Sequence, residues 1–296
     1  MARPSPQTDR VVTVVDLLAE RPHEGLTLSE LARRLGLSPA TCHPMLSSLT
    51  RAGWLVRHPS RRSYRLGPGL IAAGQAATDG FAALDVARPR MVELQRDLVL
   101  ACLAFAPSES HATLVDIVRE PRVPGPAMRI GDQTPFHPPL GVSYMAWAGA
   151  AVVTAWLERG RSQEGTRAHY ERVLAATRER GFAVELVTAP EARVRDALAE
   201  IGSASTTRLR AVLDELADDL AREDEFLPIG LNKSHRYRVG SMSACVFDGN
   251  ANVALIVALR GFPASLRGAE VQTIGERLVA ATDEITVGIA GRRPHT

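Results

Sequence analysis

The sequence predicts an α+β protein in which a small basic helical module precedes a larger domain of antiparallel strands and outer helices. Three observations predict this arrangement: an uneven distribution of charge, two helix-start signals near the N-terminus, and two hairpin signals in the remainder of the chain. The length of 296 residues is enough for about two domains, each with its own hydrophobic core. With 45% hydrophobic and 23% charged residues, the composition excludes a disordered or fibrous protein.

Charge separates the N-terminal module from the rest of the chain. Residues 1–66 contain ten arginines and five acidic residues, a net charge of +5, whereas residues 67–296 carry −3. The near-neutral total of +2 therefore averages two regions of opposite sign. A basic module joined to a neutral or acidic body is typical of nucleic-acid-binding proteins, so the distribution favours a nucleic acid as a partner of the first region.

The cysteines and the hydropathy of the chain indicate its cellular location. Cys42, Cys102 and Cys245 are far apart and form no C-x-x-C pair, which argues against a disulfide framework or a structural zinc site. The N-terminus has no apolar signal core, and the uncharged stretch at 133–157 contains prolines and polar groups instead of the about 20 apolar residues of a membrane span. We therefore expect a cytoplasmic protein without a membrane span, a metal or a cofactor.

Two helix starts lie close together in the basic module. Thr27 and Glu30 have the spacing of a capping box, in which the hydroxyl and the carboxylate each satisfy an orphan amide. Ser38-Pro39 is a second N-cap with a first-turn proline. Together with an apolar pattern over 9–21, these signals predict a helix-turn-helix whose second helix covers about 39–52.

The helical period predicts the two faces of this second helix. Four apolar side chains are expected to point inward: Cys42, Met45, Leu46 and Leu49. Five residues are expected to be more exposed: Ala40, Thr41, His43, Ser47 and Arg51. Pro44 lies in the interior, where it has no amide for the Ala40 carbonyl, so we expect either a bend or a separate first turn.

A basic hairpin is predicted next. Strand-like runs at 54–58 and 63–66 flank a turn that carries Arg61 and Arg62, which can reach phosphates or a narrow minor groove. The order predicts a winged helix-turn-helix over 1–67, with a plain three-helix bundle for protein contacts as the alternative. Thr41 and His43 are expected to reach bases. The full set of candidate DNA contacts is Thr27, Ser38, Thr41, His43, Ser47, Arg51, Arg61 and Arg62.

The sequence after residue 67 predicts a linker and an α+β domain. Residues 68–84 favour a linker helix with a small-residue face, which suits close packing between subunits. Helices and strands alternate over 85–290, with antiparallel hairpins. The expected strands lie at 98–106, 112–118, 182–187, 237–247 and 252–260. The expected helices lie at 85–97, 142–157, 166–180, 191–222 and 266–287.

This larger domain has no motif for nucleophilic catalysis, phosphate binding or dinucleotide binding. His137 is expected to be a structural loop residue and Cys245 a core residue. Four acidic residues are expected to form a solvated helix face and not a metal site: Asp214, Glu215, Asp218 and Asp219. A binding protein is therefore favoured over an enzyme of small-molecule metabolism with a DNA-binding appendage. A third alternative, an interaction protein that no longer binds DNA, rests on Pro44.

Several stretches of the sequence resemble transcriptional regulators of the IclR (isocitrate lyase regulator) family. They lie at 26–38 (LTLSELARRLGLS), 53–57, 64–68, 87–89, 131–141, 178–183 and 243–248. The resemblance implies a winged helix-turn-helix, a linker helix used in dimerisation, and a C-terminal GAF-like effector-binding domain. Such regulators typically bind operator DNA as dimers or pairs of dimers, and they respond to a small, often acidic or aromatic metabolite. Pro44 departs from the arginine that is common there.

The same resemblance implies an effector site. Carried over by position, its residues are Gly141, Ser143, Ser241, Ala258 and Arg260. Family members that hold small carboxylates tend to have hydroxyl residues where this sequence has Ala258 and Arg260. We hypothesise that Arg260 points inward and pairs with an anionic effector, because guanidinium binds carboxylate through two hydrogen bonds. A solvent-facing arginine at a strand end is the alternative.

Overall fold

The computed structural model divides the chain into two compact units, one ending at Phe81 and the other beginning at Ala82. The residues that it describes are 5–19, 22–120, 128–159, 164–187, 226–263 and 265–294. The predicted helix at 191–222 and its four acidic residues lie outside this described part.

The N-terminal unit is a helix-turn-helix followed by a short antiparallel sheet and a further helix. Its elements are α1 (Pro6–Ala19), β1 (Leu26–Thr27), α2 (Leu28–Arg34), α3 (Pro39–Arg51), β2 (Leu55–Arg57), β3 (Ser63–Leu66) and α4 (Gly69–Asp79). The strand order is β1-β3-β2 with antiparallel pairing, so the predicted hairpin is confirmed. The sequence did not predict β1, because a two-residue strand is defined by its pairing with β3 and has no pattern of its own.

One apolar cluster holds the three helices and the sheet of this unit together. All four residues that were predicted to point inward from α3 are buried, with Leu46 fully enclosed. They pack with Val14 of α1, Leu31 of α2 and Tyr64 of β3. The predicted inner face of the second helix is therefore confirmed.

Helix α3 runs past Pro44 to Arg51 as a single α-helix, so the expectation of a separate first turn is wrong. Pro44 is exposed and lies early in the helix, where the missing amide concerns only the carbonyl of Ala40. Since Ala40 is also exposed, water can hydrate that carbonyl.

The base of the hairpin brings backbone segments close together. The Gly67 amide donates to the Trp54 carbonyl at 2.7 Å, and the Gly69 amide donates to the Gly53 carbonyl at 3.0 Å. A Cβ atom on Gly67 would lie 2.3 Å from the Gly53 carbonyl oxygen, so only glycine fits there. This contact fixes the hairpin next to the C-terminal end of α3.

The C-terminal unit is an α+β domain. Its helices are α5 (Ala82–Leu98), α6 (Val142–Met145), α7 (Ala150–Arg159), α8 (Glu164–Arg180) and α9 (Gly268–Gly288). Its strands are β4 (Ala101–Pro107), β5 (His111–Val118), β6 (Gln133–Pro135), β7 (Ala183–Leu186), β8 (Arg236–Tyr237), β9 (Val239–Phe247), β10 (Val253–Arg260) and β11 (Leu266–Arg267).

Six of these strands form one sheet in the order β6-β5-β4-β10-β9-β7, with antiparallel pairs throughout. The predicted α+β class with an antiparallel sheet is confirmed. Helices α5 and α9 pack on one face. We call the opposite face, which carries Leu103, Cys245, Ile256 and Ala258, the α6 face, because α6 packs on β9 and β10 there.

The single helix predicted over 142–157 is wrong, since two helices occupy this range. Helix α6 ends at Met145, and the amides of Trp147 and Ala148 bond three residues back instead of four. Gly149 then accepts from Val152 and Val153 at the start of α7. The Trp147 ring lies edge-on to Phe247 at 5.1 Å, so packing on the α6 face accompanies the break.

Candidate functional site

Side-chain caps fix the two helices of the helix-turn-helix. The Thr27 hydroxyl accepts from the Glu30 amide at 3.3 Å, and the Glu30 carboxylate accepts from the Thr27 amide and hydroxyl at 2.7 Å each. The predicted capping box is therefore confirmed. These hydrogen bonds lower the pKa of Glu30 below its usual value, because they favour the ionised carboxylate.

The second cap holds the start of α3. The Ser38 hydroxyl accepts from the Thr41 amide at 3.1 Å and lies 2.9 Å from the Thr41 hydroxyl. Both side chains are exposed, so each retains hydrogen-bonding capacity toward a ligand. The structure thus places Ser38 and Thr41 together at the N-terminal end of α3, where partial positive charge favours a phosphate.

The outer face of α3 is polar and unobstructed within its unit. His43, Ser47 and Arg51 are exposed, as the helical period predicted. His43, Ser47 and Arg51 are spaced four residues apart and lie on one side of the helix, and Thr41 is exposed at its first turn; we call these four residues the α3 strip. Thr27 differs from these residues, because it is partly buried and its hydroxyl is engaged with Glu30.

Arg61 and Arg62 lie at the tip of the β2–β3 hairpin, and both are exposed. Three hydrogen bonds to His58 and Ser63 close the tip. His58 donates its amide to Ser63, its carbonyl accepts from the Arg62 amide at 2.9 Å, and its Nδ1 accepts from the Arg61 amide at 3.1 Å. Arg62 has a φ of 51°, the left-handed region, which this closure maintains. No sequence signal marks His58 for this role, because the role depends on the conformation of the turn.

The five residues expected at an effector site fall on or beside the α6 face. Ser241 and Arg260 face each other across β9 and β10, and Ala258 lies two residues from Arg260 on the same face. Ser143 on α6 is linked to β9, because its carbonyl accepts from Cys245 Sγ at 3.3 Å. The structure therefore brings these residues to one face, on which the Arg260 side chain is 27% exposed.

Polar side chains lie within this largely apolar face. Ser143, Ser241 and Ser243 are all less than a tenth exposed. The Arg260 Nε is buried and has no hydrogen-bond partner within the part of the chain that the structure describes. Ser243, which pairs with Ala258 and Ala183, was missed by the sequence analysis because strand register could not be inferred from local pattern.

Gly141 has a conformational reason to be glycine. Its φ is 91°, and a Cβ atom there would lie 2.7 Å from a Phe136 ring carbon. The Phe136 ring stacks on Tyr144 with centroids 4.6 Å apart. This close packing places Ser143 on the sheet.

The three cysteines are buried thiols. Burial raises the pKa of Cys102 to about 12, and it raises the pKa of Cys245 further. Thiols of this kind are poor nucleophiles, which agrees with Cys245 as a core residue. The described residues include no cluster of side chains that could hold a metal ion.

An open groove of about 520 Å³ lies beside β7 and β8. It is lined by Arg172, Arg236, Arg238 and neighbouring residues, and it includes none of the five expected effector residues. Its lining includes Val187, which directly precedes the range 188–225 outside the described residues, so we assign no ligand to the groove.

Comparison with known proteins identifies the N-terminal unit. Residues 7–59 match the family model of the IclR helix-turn-helix domain. The chain is 26% identical over 184 residues to the HTH-type transcriptional regulator XynR of Escherichia coli, covering 60% of this chain and 73% of that protein. It is 28% identical over 199 residues to the glycerol operon regulatory protein of Streptomyces griseus, covering 63% of this chain and 75% of that protein.

Solved structures share the whole fold. An IclR transcriptional regulator from Alicyclobacillus acidocaldarius aligns with a TM-score of 0.68 at 18% identity, over 98% of this chain and all of that chain. An IclR homologue from Microbacterium hydrocarbonoxydans, in complex with 4-hydroxybenzoate, aligns with a TM-score of 0.62 at 15% identity, over 96% and 98% of the two chains. At these identities the likeness concerns the fold.

The N-terminal unit therefore carries a helix-turn-helix domain of the IclR type, and the C-terminal unit is an α+β domain. The chain is similar to transcriptional regulators of the IclR family, as its motifs predicted. The curated relatives are regulators and not enzymes, in agreement with the preferred interpretation of the sequence. No helix among the described residues is long and apolar enough to cross a membrane.

Proposed function

We propose that this regulator binds operator DNA through its winged helix-turn-helix, residues 1–67, and that a small effector bound to the GAF-like domain, residues 85–290, changes its affinity for DNA. The observation that carries the first part is the exposure, in one unit, of both the α3 strip and the Arg61-Arg62 tip. Thr41 and His43 reach base edges, and Ser38, Ser47 and Arg51 contact the backbone. Thr27 supports the interface through its cap.

The effector occupies the α6 face. Ser143 and Ser241 supply buried hydroxyls, Arg260 supplies a buried Nε that has no partner among the described residues, and Gly141 and Ala258 shape the wall. A ligand that satisfies these groups stabilises the bound conformation, because buried polar groups without hydrogen bonds are costly. The effector is a small anionic or aromatic metabolite, and the 4-hydroxybenzoate complex of the Microbacterium relative supports an aromatic acid as one probe.

Helix α4, within the linker at 68–84, joins two copies of the chain. It is rich in alanine and glycine, and none of its residues is buried within the chain. Ile71 in particular is 75% exposed. An apolar helix of this kind is stabilised when the equivalent helix of a second copy covers it. The regulator is therefore a homodimer, or a tetramer of two dimers, in which two α3 helices bind one operator. It acts in the cytoplasm.

One experiment tests the proposal. Genomic fragments retained by the purified chain are sequenced, and the strongest fragment and the DNA upstream of the chain's own gene are used in mobility-shift assays. We expect a palindromic site with half-sites about 34 Å apart or a multiple of that. Addition of the metabolite that binds the GAF-like domain should change the affinity of the chain for this DNA site. Retention of random fragments, with no enriched sequence, overturns the DNA-binding proposal.

A further inference from the structure

A row of polar side chains crosses three strands of the α6 face. The cross-strand register pairs Arg260 with Ser241 and Ser241 with Glu185, so all three lie on the same side of the sheet. The Arg260 Nη2 is 3.9 Å from the Glu185 Oε2, and the two side chains are only 27% and 20% exposed. A carboxylate of the protein therefore lies beside the cation that was expected to meet an anionic effector.

This ion pair leaves hydrogen-bonding capacity unused. The distance from the Arg260 Nη2 to the Glu185 Oε2 is longer than that of a charge-assisted hydrogen bond, which is about 2.7–2.9 Å. Within the described ranges, the Glu185 carboxylate accepts no hydrogen bond, and the Arg260 Nε donates none. Two charges that are largely withdrawn from water thus hold each other by attraction alone, an arrangement that a ligand with matching groups would complete.

The pair discriminates between classes of ligand. A ligand whose only polar group is a carboxylate would bind Arg260 by separating it from Glu185. That displacement would leave the Glu185 carboxylate poorly hydrated and close to a second anion. A ligand with a hydrogen-bond donor next to its carboxylate avoids this cost, because the carboxylate binds Arg260 while the donor binds Glu185. Ser241 lies between the two in the strand register.

We propose that Glu185 is a further residue of the effector site and that it selects a small carboxylic acid with a hydrogen-bond donor, an ammonium or a hydroxyl group, beside the carboxylate. The inference rests on the proposed function, since it specifies the ligand of the same α6 face. α-Amino acids and α-hydroxy acids share this chemistry. The 3.9 Å gap between Arg260 and Glu185 matches neighbouring groups of one small molecule.

The test uses the full chain and nine probes built on three carbon skeletons. The sets are propionate, lactate and alanine; succinate, malate and aspartate; and phenylpropionate, phenyllactate and phenylalanine. Binding is measured by thermal shift and then by calorimetry. We expect that, in at least one set, the hydroxy or amino member binds about tenfold or more tightly than the plain acid, as one additional charge-assisted bond implies. The better of these two members identifies the donor as hydroxyl or ammonium.

Substitution of Glu185 provides the second arm. Glu185→Gln removes the negative charge and keeps the shape, so the preferred probe should lose about tenfold in affinity while the plain acid of the same set gains affinity from the released Arg260. These opposite changes would not follow from a general loss of stability. If Glu185→Gln fails to fold, Glu185→Asp takes its place in the test. This variant retains the charge on a shorter side chain and should retain the preference for the hydroxy or amino acid over the plain acid. Glu179→Gln, an exposed position on α8, is the matched control and changes neither affinity.

Three results overturn the inference: plain acids bind as tightly as their substituted partners, no probe binds, or Glu185→Gln leaves the preference intact. Its failure is distinguishable from failure of the proposed function. If plain acids bind and Arg260→Gln abolishes that binding, the α6 face holds an effector and only the role of Glu185 is wrong. Operator binding is measured on the same preparations without probes.

Discussion

The imidazole Nδ1 of His58 accepts a hydrogen bond from the backbone amide of Arg61 at 3.1 Å, within the turn that presents the two arginines of the wing. The His58 carbonyl accepts from the next amide, that of Arg62. His58, which directly follows β2, therefore orders the backbone of both basic residues.

Replacement of His58 by alanine should weaken operator binding, because the tip loses an acceptor and must be ordered when DNA binds. A hydrogen bond of this kind contributes about 0.5–1.5 kcal/mol, a two- to tenfold change in Kd. His58→Asn is the matched control, since its Oδ1 can accept from the same amide. Fluorescence anisotropy gives the affinities, and hydrogen exchange of the Arg61 amide reports the tip directly. Equal affinities for the alanine and asparagine variants would contradict the role of this acceptor.

Removal of both wing arginines, Arg61→Ala with Arg62→Ala, should weaken binding to operator and unrelated DNA by similar factors. If each arginine neutralises one phosphate, the slope of log K against log salt becomes less steep by about two. The control is a double substitution of exposed arginines in the C-terminal unit, Arg96→Ala with Arg129→Ala. An unchanged slope in the wing variant would show that Arg61 and Arg62 do not contact the DNA backbone.

Thr27→Ala should destabilise α2 by about 1 kcal/mol, because it removes the N-cap. The effect has a defined pH dependence. The pKa of Glu30 is lower in the folded chain than its usual 4.5. The stability that its ionised carboxylate contributes is therefore fully present above pH 4.5 and is lost as the pH falls through the pKa of the folded state. Hydrogen exchange of the peptide covering α2, corrected for intrinsic rates at each pH, should show a smaller difference between wild type and variant at about pH 3 than at about pH 7. Thr27→Ser should behave as wild type.

The native chain should not react with a thiol reagent at neutral pH. All three cysteines are buried, and burial holds the pKa of Cys102 and Cys245 far above the pH of the assay. The same reagent in urea should label three thiols. Labelling counted by mass spectrometry checks this, and fast native labelling of any of the three would contradict the packing described for its unit.

Local chemistry explains which parts of the molecule were predictable from sequence. The caps at Thr27 and Ser38 depend on residues three positions apart, and the buried face of α3 depends on a helical period, so both were identified correctly. The pairing of Arg260 with Glu185 depends on the register of β7, β9 and β10. That register is set by long-range packing, which is why Glu185 and Ser243 were missed. The break between α6 and α7 was missed for a similar reason, since it accompanies the contact of Trp147 with Phe247.

The most direct test of the central claim is an anisotropy titration of the full chain on its best genomic fragment and on unrelated DNA of equal length, at one fixed salt concentration. Specific regulators typically prefer their site by about 10³-fold or more. We predict such a preference for the wild type. Thr41→Ala with His43→Ala should reduce it by about 1–3 kcal/mol per lost base contact while leaving affinity for unrelated DNA unchanged. Equal affinity for both DNAs, or no binding at all, would contradict the account and favour the alternative of a helical bundle that contacts protein.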